Sequence, residues 1–260
     1  MRKFTFILLF IFFQLIFGQN AEFRTVSNNA FTVGEKLTFN INYGFVTAGV
    51  AIMQIPEFQK ISGRETYHID FKVNTTSAFD LFYKVRDRYS TYLDVKGMFP
   101  WRFEQHIREG NYTRDFSAFF DQRRGKVYTS EGSYKTVKNV LDIISAFYFV
   151  RTVNFKLYSP GDTLHLHNFY KDKTFPLDVI YRGKEKVDVD AGTFNCIIVE
   201  PRIKQGGLFK SEGSILVWLT DDEIKMPVRV KSKIVIGSIL ADLTKYEGIR
   251  GKLQSKVNDE

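Results

Sequence analysis

Four histidines, a single cysteine and one run of acids are the side chains in this sequence whose types and spacing could do chemistry. His165 and His167 stand two apart, so on a strand they share a face and could supply two ligands to a metal ion. No third ligand follows at a recognised spacing, which leaves them as solvent-facing residues and predicts no metal site. His68 and His106 fall on the polar faces of their own segments. Cys196 lies in Phe194-Asn195-Cys196-Ile197-Ile198-Val199, where a thiol behaves as a small hydrophobe, and no spaced His and Asp/Asn set makes it a nucleophile. Asp221-Asp222-Glu223 follows Val217-Trp218-Leu219-Thr220. Acids at a strand end can hold a cation or do acid–base work, but Asp also closes turns by accepting from neighbouring amides, and that reading demands less. Gly-x-Ser-x-Gly elbows, phosphate loops, dinucleotide fingerprints and paired-cysteine zinc patterns are all missing from the sequence. No catalytic residue and no cofactor is therefore expected.

Binding is left as the chemistry to look for. Polar groups embedded in apolar stretches are the candidate ligand contacts: Asp87 and Tyr89 in Arg86-Asp87-Arg88-Tyr89, Tyr148 and Arg151 near the end of a helical segment, and Trp218 with Asp222. A buried Arg151–Asp87 ion pair is the competing structural use of two of them.

The elements that must position these groups are mostly strands. Leu37, Phe39, Ile41 and Tyr43 alternate with Lys36, Thr38, Asn40 and Asn42, and Tyr67, Ile69, Phe71 and Val73 alternate with Thr66, His68, Asp70 and Lys72. Successive strand side chains point to opposite sides, so both segments read as half-buried strands. Further strands are expected at 46–57, 87–94, 101–108, 112–121, 126–129, 163–170, 175–181, 194–203, 214–220, 227–236 and 238–246. Ser62-Gly63, Arg124-Gly125, Arg182-Gly183, Ala191-Gly192 and Gly206-Gly207 supply the permissive backbone for tight turns between them. The pattern predicts a mainly β fold, a large curved antiparallel meander resembling a half-barrel or barrel. One helix should pack on it: Val140, Ile143, Ile144, Phe147 and Val150 recur at helical spacing within 139–153, with Asn139 as N-cap. A shorter helical turn is expected at 77–83. Aromatic residues make up 16% of the chain, enough to line the packed or concave face of such a sheet with large rings.

The opening of the chain speaks to its destination. Arg2 and Lys3, an apolar run from Phe4 to Phe17 and then Gly18 have the charge order and length of a cleaved secretory signal peptide over residues 1–18. A membrane span needs roughly 20 apolar residues, and this run is shorter and broken by Gln14. One antiparallel β domain is expected over residues 31–246, followed by a polar tail, 247–260, of which residues 252–260 should fray. The formal charge of +8 is moderate and free of long single-sign runs. It suits a solvated basic face or peripheral contact with an anionic membrane surface, and nucleic acid is not expected as a partner.

Three stretches together resemble the exported bacterial family DUF3108, a domain of unknown function. These are Gly34-Glu35-Lys36-Leu37 with Tyr43 and Ala48-Gly49; Leu141-Asp142-Ile143-Ile144-Ser145-Ala146-Phe147-Tyr148-Phe149-Val150-Arg151; and Gly192-Thr193-Phe194-Asn195-Cys196 followed by Val217 to Asp222, Met226-Pro227-Val228 and Ile236-Gly237-Ser238-Ile239. The resemblance implies an envelope protein of the periplasm or cell surface with a large curved antiparallel sheet, similar in outline to periplasmic carriers of lipid-like groups. The leading expectation is thus a non-catalytic binder or carrier of an apolar or amphipathic envelope molecule. The alternatives are a glycan-binding module or glycan hydrolase using Trp218 with Asp221 or Asp222, and a scaffold of an envelope complex.

Overall fold

The structure, a computed structural model, describes residues 23–203, 215–233 and 237–257. The expected signal peptide and the Gly206-Gly207 turn lie outside the described residues. The strands are β1 (Lys36–Tyr43), β2 (Val46–Ile61), β3 (Arg64–Thr75), β4 (Arg86–Asp94), β5 (Pro100–Glu109), β6 (Tyr112–Asp121), β7 (Lys126–Thr129), β8 (Gly132–Lys135), β9 (Thr163–Tyr170), β10 (Lys173–Val189), β11 (Gly192–Ile203), β12 (Ile215–Thr220), β13 (Pro227–Lys233) and β14 (Ser238–Glu247). Two α-helices, α1 (Ser77–Asp80) and α2 (Ile143–Arg151), interrupt them.

All these strands join one antiparallel sheet of 14 strands in the order β8-β7-β6-β5-β4-β3-β2-β1-β14-β13-β12-β11-β10-β9. The chain enters at the middle of the sheet, walks out to β8, crosses through α2 to the far edge at β9 and walks back until β14 meets β1. The sheet curls but does not close into a barrel. Its two edges are joined through the approach to α2. Leu141 donates its N–H to His167 O at 2.9 Å and accepts from Phe169 N at 2.7 Å, while the hydroxyls of Thr136 and Thr174 lie 2.7 Å apart. These contacts occupy edge groups on β9 that would otherwise be open to another chain.

Alternation places Leu37, Phe39, Tyr67 and Ile69 in the core as expected. The opposite face of β3 is less exposed than its polarity suggests. Asp70 and Thr66 are buried, because Asp70 accepts from Ser90 Oγ at 2.6 Å and from Arg88 Nη2 at 3.2 Å. Four expectations need correction. Arg182-Gly183 is not a turn: Gly183, at φ 108°, makes a bulge and β10 continues to Val189. Asn139 is not the cap of α2; it adopts φ 58° before the helix, which starts after Asp142 and is shorter than expected. The short strand β8 was not anticipated. The described part of the C-terminal tail is held along β11: Asn195 N donates to Ser255 O and Val257 N to Thr193 O, both at 2.9 Å. There the tail serves as β11's partner beyond the end of β12.

Candidate functional site

Helix α2 spans the inside of the curl and is fixed at both ends. At its start Asp142 Oδ1 accepts from Ile144 N and Ser145 N, each at 2.8 Å, and Asp142 N donates to Ser145 Oγ at 2.8 Å, a reciprocal capping box. The second carboxylate oxygen accepts from Thr91 Oγ1 on β4 at 2.6 Å, which ties the cap to the sheet. Gln122 Nε2 steadies the approach by donating to Pro100 O at 3.0 Å and Val140 O at 3.1 Å. Burial pushes the Asp142 carboxyl up to about 6, against the lowering effect of these donors.

At its end, Arg151 is fully buried and forks onto Glu35, Nη1 to Oε1 at 2.6 Å and Nη2 to Oε2 at 2.7 Å. Its Nη2 also donates to Ala30 O and Ile224 O at 3.3 Å, and its guanidinium lies over the rings of Phe31 and Tyr148. The expected partner Asp87 is elsewhere, accepting from Arg108 N at 2.9 Å on β5. Glu35, which immediately precedes β1, takes its place.

Between these two clamps lies a hollow. Ile143, Ala146, Phe147 and Val150, at i, i+3, i+4 and i+7, form one wall together with Ile144. The facing wall is the concave sheet, with Phe39 and Met53 on one side and Val179, Val199, Val217 and Leu219 on the other. The space between the walls is about 300 Å³, and every described side chain lining it is apolar. Small side chains at Ala51, Ala146 and Ala241 leave the room that larger ones would fill. Ile41, Pro201, Ile215, Val230 and Ala241 are only half-buried, whereas Phe39, Val217 and Leu219 are buried. The former group lies toward the end of the sheet that carries the β1–β2 and β13–β14 connections, so among the described residues the hollow is least covered there. Among the described residues the lining carries no ionisable, hydroxyl or amide side chain, and one thioether, that of Met53. What it offers is a place for apolar matter to leave water.

None of the six residues singled out from sequence lines this hollow. Tyr89 borders a smaller recess with Phe103, Gln105 and Phe116, and burial pushes its phenol up to about 12. Asp87 is buried beside Glu109, whose carboxyl is raised by burial and by the charge of Asp87. Tyr148 and Arg151 share the clamp. Trp218 sits between the cavity residues Val217 and Leu219 and therefore faces the other side of the sheet, where Nε1 donates to Glu185 at 2.7 Å. Asp222 organises a turn: Oδ1 accepts from Thr220 Oγ1, Ile224 N and Lys225 N, and Oδ2 from Ser255 N and Oγ. Arg151 and Asp222 border one polar recess, but Asp87, Tyr89 and Trp218 are not part of it. Cys196 is buried, as its apolar surroundings suggested, and burial pushes its thiol up to about 12. His165 and His167 are exposed, and His165 Nδ1 lies 2.8 Å from Asp178.

A sequence model for proteins of unknown function, DUF3108, matches residues 38–244. No curated protein matches the chain significantly in sequence. Among solved structures, a beta-barrel-like protein of the unknown-function family DUF1849 from Brucella abortus is similar over 86% of this chain and 98% of that chain, with 13% identity and a TM-score of 0.55. A Bacteroides fragilis protein, provisionally described as exported and having a YmcC-like fold, aligns over 85% of this chain and 99% of that one, with 13% identity and a TM-score of 0.37. The Brucella likeness concerns the fold alone.

Proposed function

The chain belongs to the DUF3108 family, whose function is unknown, and we propose that it is an exported, non-catalytic binder of an apolar or amphipathic envelope molecule, held in the hollow beneath α2. The observation that carries this reading is a space of about 300 Å³ whose lining, among the described residues, is apolar throughout. That volume lies at the lower bound of small-molecule pockets, about 300–1,000 Å³, and suits one acyl or isoprenoid chain better than a whole diacyl lipid. Burying such a chain gains about 0.8 kcal/mol per methylene, or on the order of 8 kcal/mol for ten, before the cost of immobilising it. With no polar group inside, selection rests on chain length and shape, and a polar head group stays at the mouth. Export is supported by the basic Arg2-Lys3, apolar Phe4-to-Phe17 and Gly18 order at the start of the sequence.

Trp218 and Asp222 do not favour the glycan reading, since the indole is buried and the acid serves a turn. The test is native mass spectrometry of the mature protein purified from its own envelope, followed by organic extraction, together with titration by a fluorescent fatty-acid probe. We expect a co-purifying apolar chain, probe uptake, and loss of uptake in Ala241→Phe at unchanged melting temperature. A folded wild-type protein that takes up no probe and carries no extractable molecule would overturn the reading.

A further inference from the structure

The loop end of the sheet carries a second feature, independent of the hollow. Antiparallel pairing brings several connections to this one end. Tyr43 is opposite both Val46 and Ile239, Gly49 is opposite Thr75, and Lys233 is opposite Ser238. The β3–β4 connection, which contains α1, is held beside the β5–β6 turn by Gly110 N donating to Lys84 O at 2.8 Å. On these tips the largest side chains are apolar and point into solvent: Phe45 is 109% exposed, Leu81 86% and Phe82 85%. At the same end of the sheet are the exposed Lys84, in the β3–β4 connection, and Lys231 and Lys233, at the closing part of β13, none of which forms an ion pair among the described residues. Of the acids at this end, Asp80 is paired with Arg86 and Glu131 with Arg114, while half-buried Glu109 lies beside Asp87 and Asp172 is exposed on the β9–β10 turn.

We propose that this end is a bilayer-docking face, on which Phe45, Leu81 and Phe82 enter the acyl region while Lys84, Lys231 and Lys233 lie against anionic phospholipid head groups. Apolar tips flanked by lysines match the interfacial layering of a membrane surface, apolar below and negative above. Separate protruding tips suit a deformable bilayer, since each would need its own shaped pocket on a rigid protein partner. Continuity with the hollow's mouth is the third argument: a chain leaving the bilayer there would pass from lipid to the apolar lining without crossing water. That last step rests on the binding function proposed above, whereas docking itself does not. No helix among the described residues is long and apolar enough to cross a membrane, so the contact assigned is a surface one.

Flotation of the mature protein with vesicles of phosphatidylethanolamine and phosphatidylglycerol tests this. Wild-type protein should float, more weakly in high salt and with phosphatidylcholine vesicles. The double variant Phe45→Ser/Phe82→Ser should bind at least tenfold more weakly at unchanged melting temperature, and Lys84→Glu/Lys233→Glu should abolish the preference for the anionic lipid. Ala241→Phe should float like wild type, which separates docking from ligand uptake. Failure of the wild type to float, flotation indifferent to the Phe45/Phe82 substitutions, or Phe45-dependent self-association without vesicle binding would each overturn the proposal.

Discussion

Arg151 and Glu35 are both fully buried, and each depends on the other to be tolerable there. Removing one partner of a buried pair leaves an uncompensated charge and typically costs about 3–5 kcal/mol, whereas replacing both with apolar groups of similar volume is often close to neutral. Arg151→Met and Glu35→Leu are each expected to destabilise by about that amount in urea unfolding, and the double variant by much less than their sum. Additive losses would show that the two groups act separately. That Arg151 is structural was half legible in the sequence: a lone arginine ending an apolar helix needs an anion. Its partner was not legible, because Glu35 lies 116 residues away and nothing in the Gly34-Glu35-Lys36-Leu37 stretch marks it as the partner of a buried arginine. Asp87, the partner expected from the sequence, instead accepts from a backbone amide of the adjacent strand.

At the scale of the element, the cap of α2 carries a pH signature. Burial raises the Asp142 carboxyl to about 6 in the folded state, above its ordinary value of 3.8. Between those values the native state binds more protons than the unfolded state, so this group's contribution to stability falls as pH rises from about 4 to about 6 and is flat above that. Asp142→Asn mimics the neutral acid. The stability of wild type relative to this variant should therefore be greater near pH 4 than near pH 7.5, measured by paired urea titrations, and a difference independent of pH would refute the assignment. Asp94 acts in the opposite direction. Burial alone would raise it, but Arg64, Trp101 Nε1 and Gly97 N hold its carboxyl below the ordinary range, so its support is full at neutral pH and fades in acid. The existence of α2 was plain from the spacing of Ile143, Ile144, Phe147 and Val150. Its start was displaced by three residues because Asn139 and Asp142 are both good caps, and the pairing of Leu141 with β9 decides between them. β8 escaped notice because Tyr134 is its only large apolar residue.

Across the whole molecule the sheet was readable and the hollow was not. Alternation identifies each strand by itself, but the lining draws on Phe39, Phe71, Val179 and Val217 from distant parts of the chain, and only the curl of the sheet decides that they face one another. The order of strands was equally hidden, and it has a consequence for how the molecule comes into being. Each half is a run in which consecutive strands pair, β1 to β8 and then β9 to β14, and such sequence-local pairings close faster than distant ones. The joint between the halves is different. Thr244 Oγ1 meets Thr38 O across 206 residues, so β1 must wait beside an unfinished edge until nearly all of the chain is present. Pulse-labelling hydrogen exchange during refolding should find amides of β5 and β6 protected before those β1 shares with β14; simultaneous protection would count against this order. A chain that crosses a membrane unfolded would then arrive with no chamber at all, and the chamber would come into existence only when the last strand zips against the first.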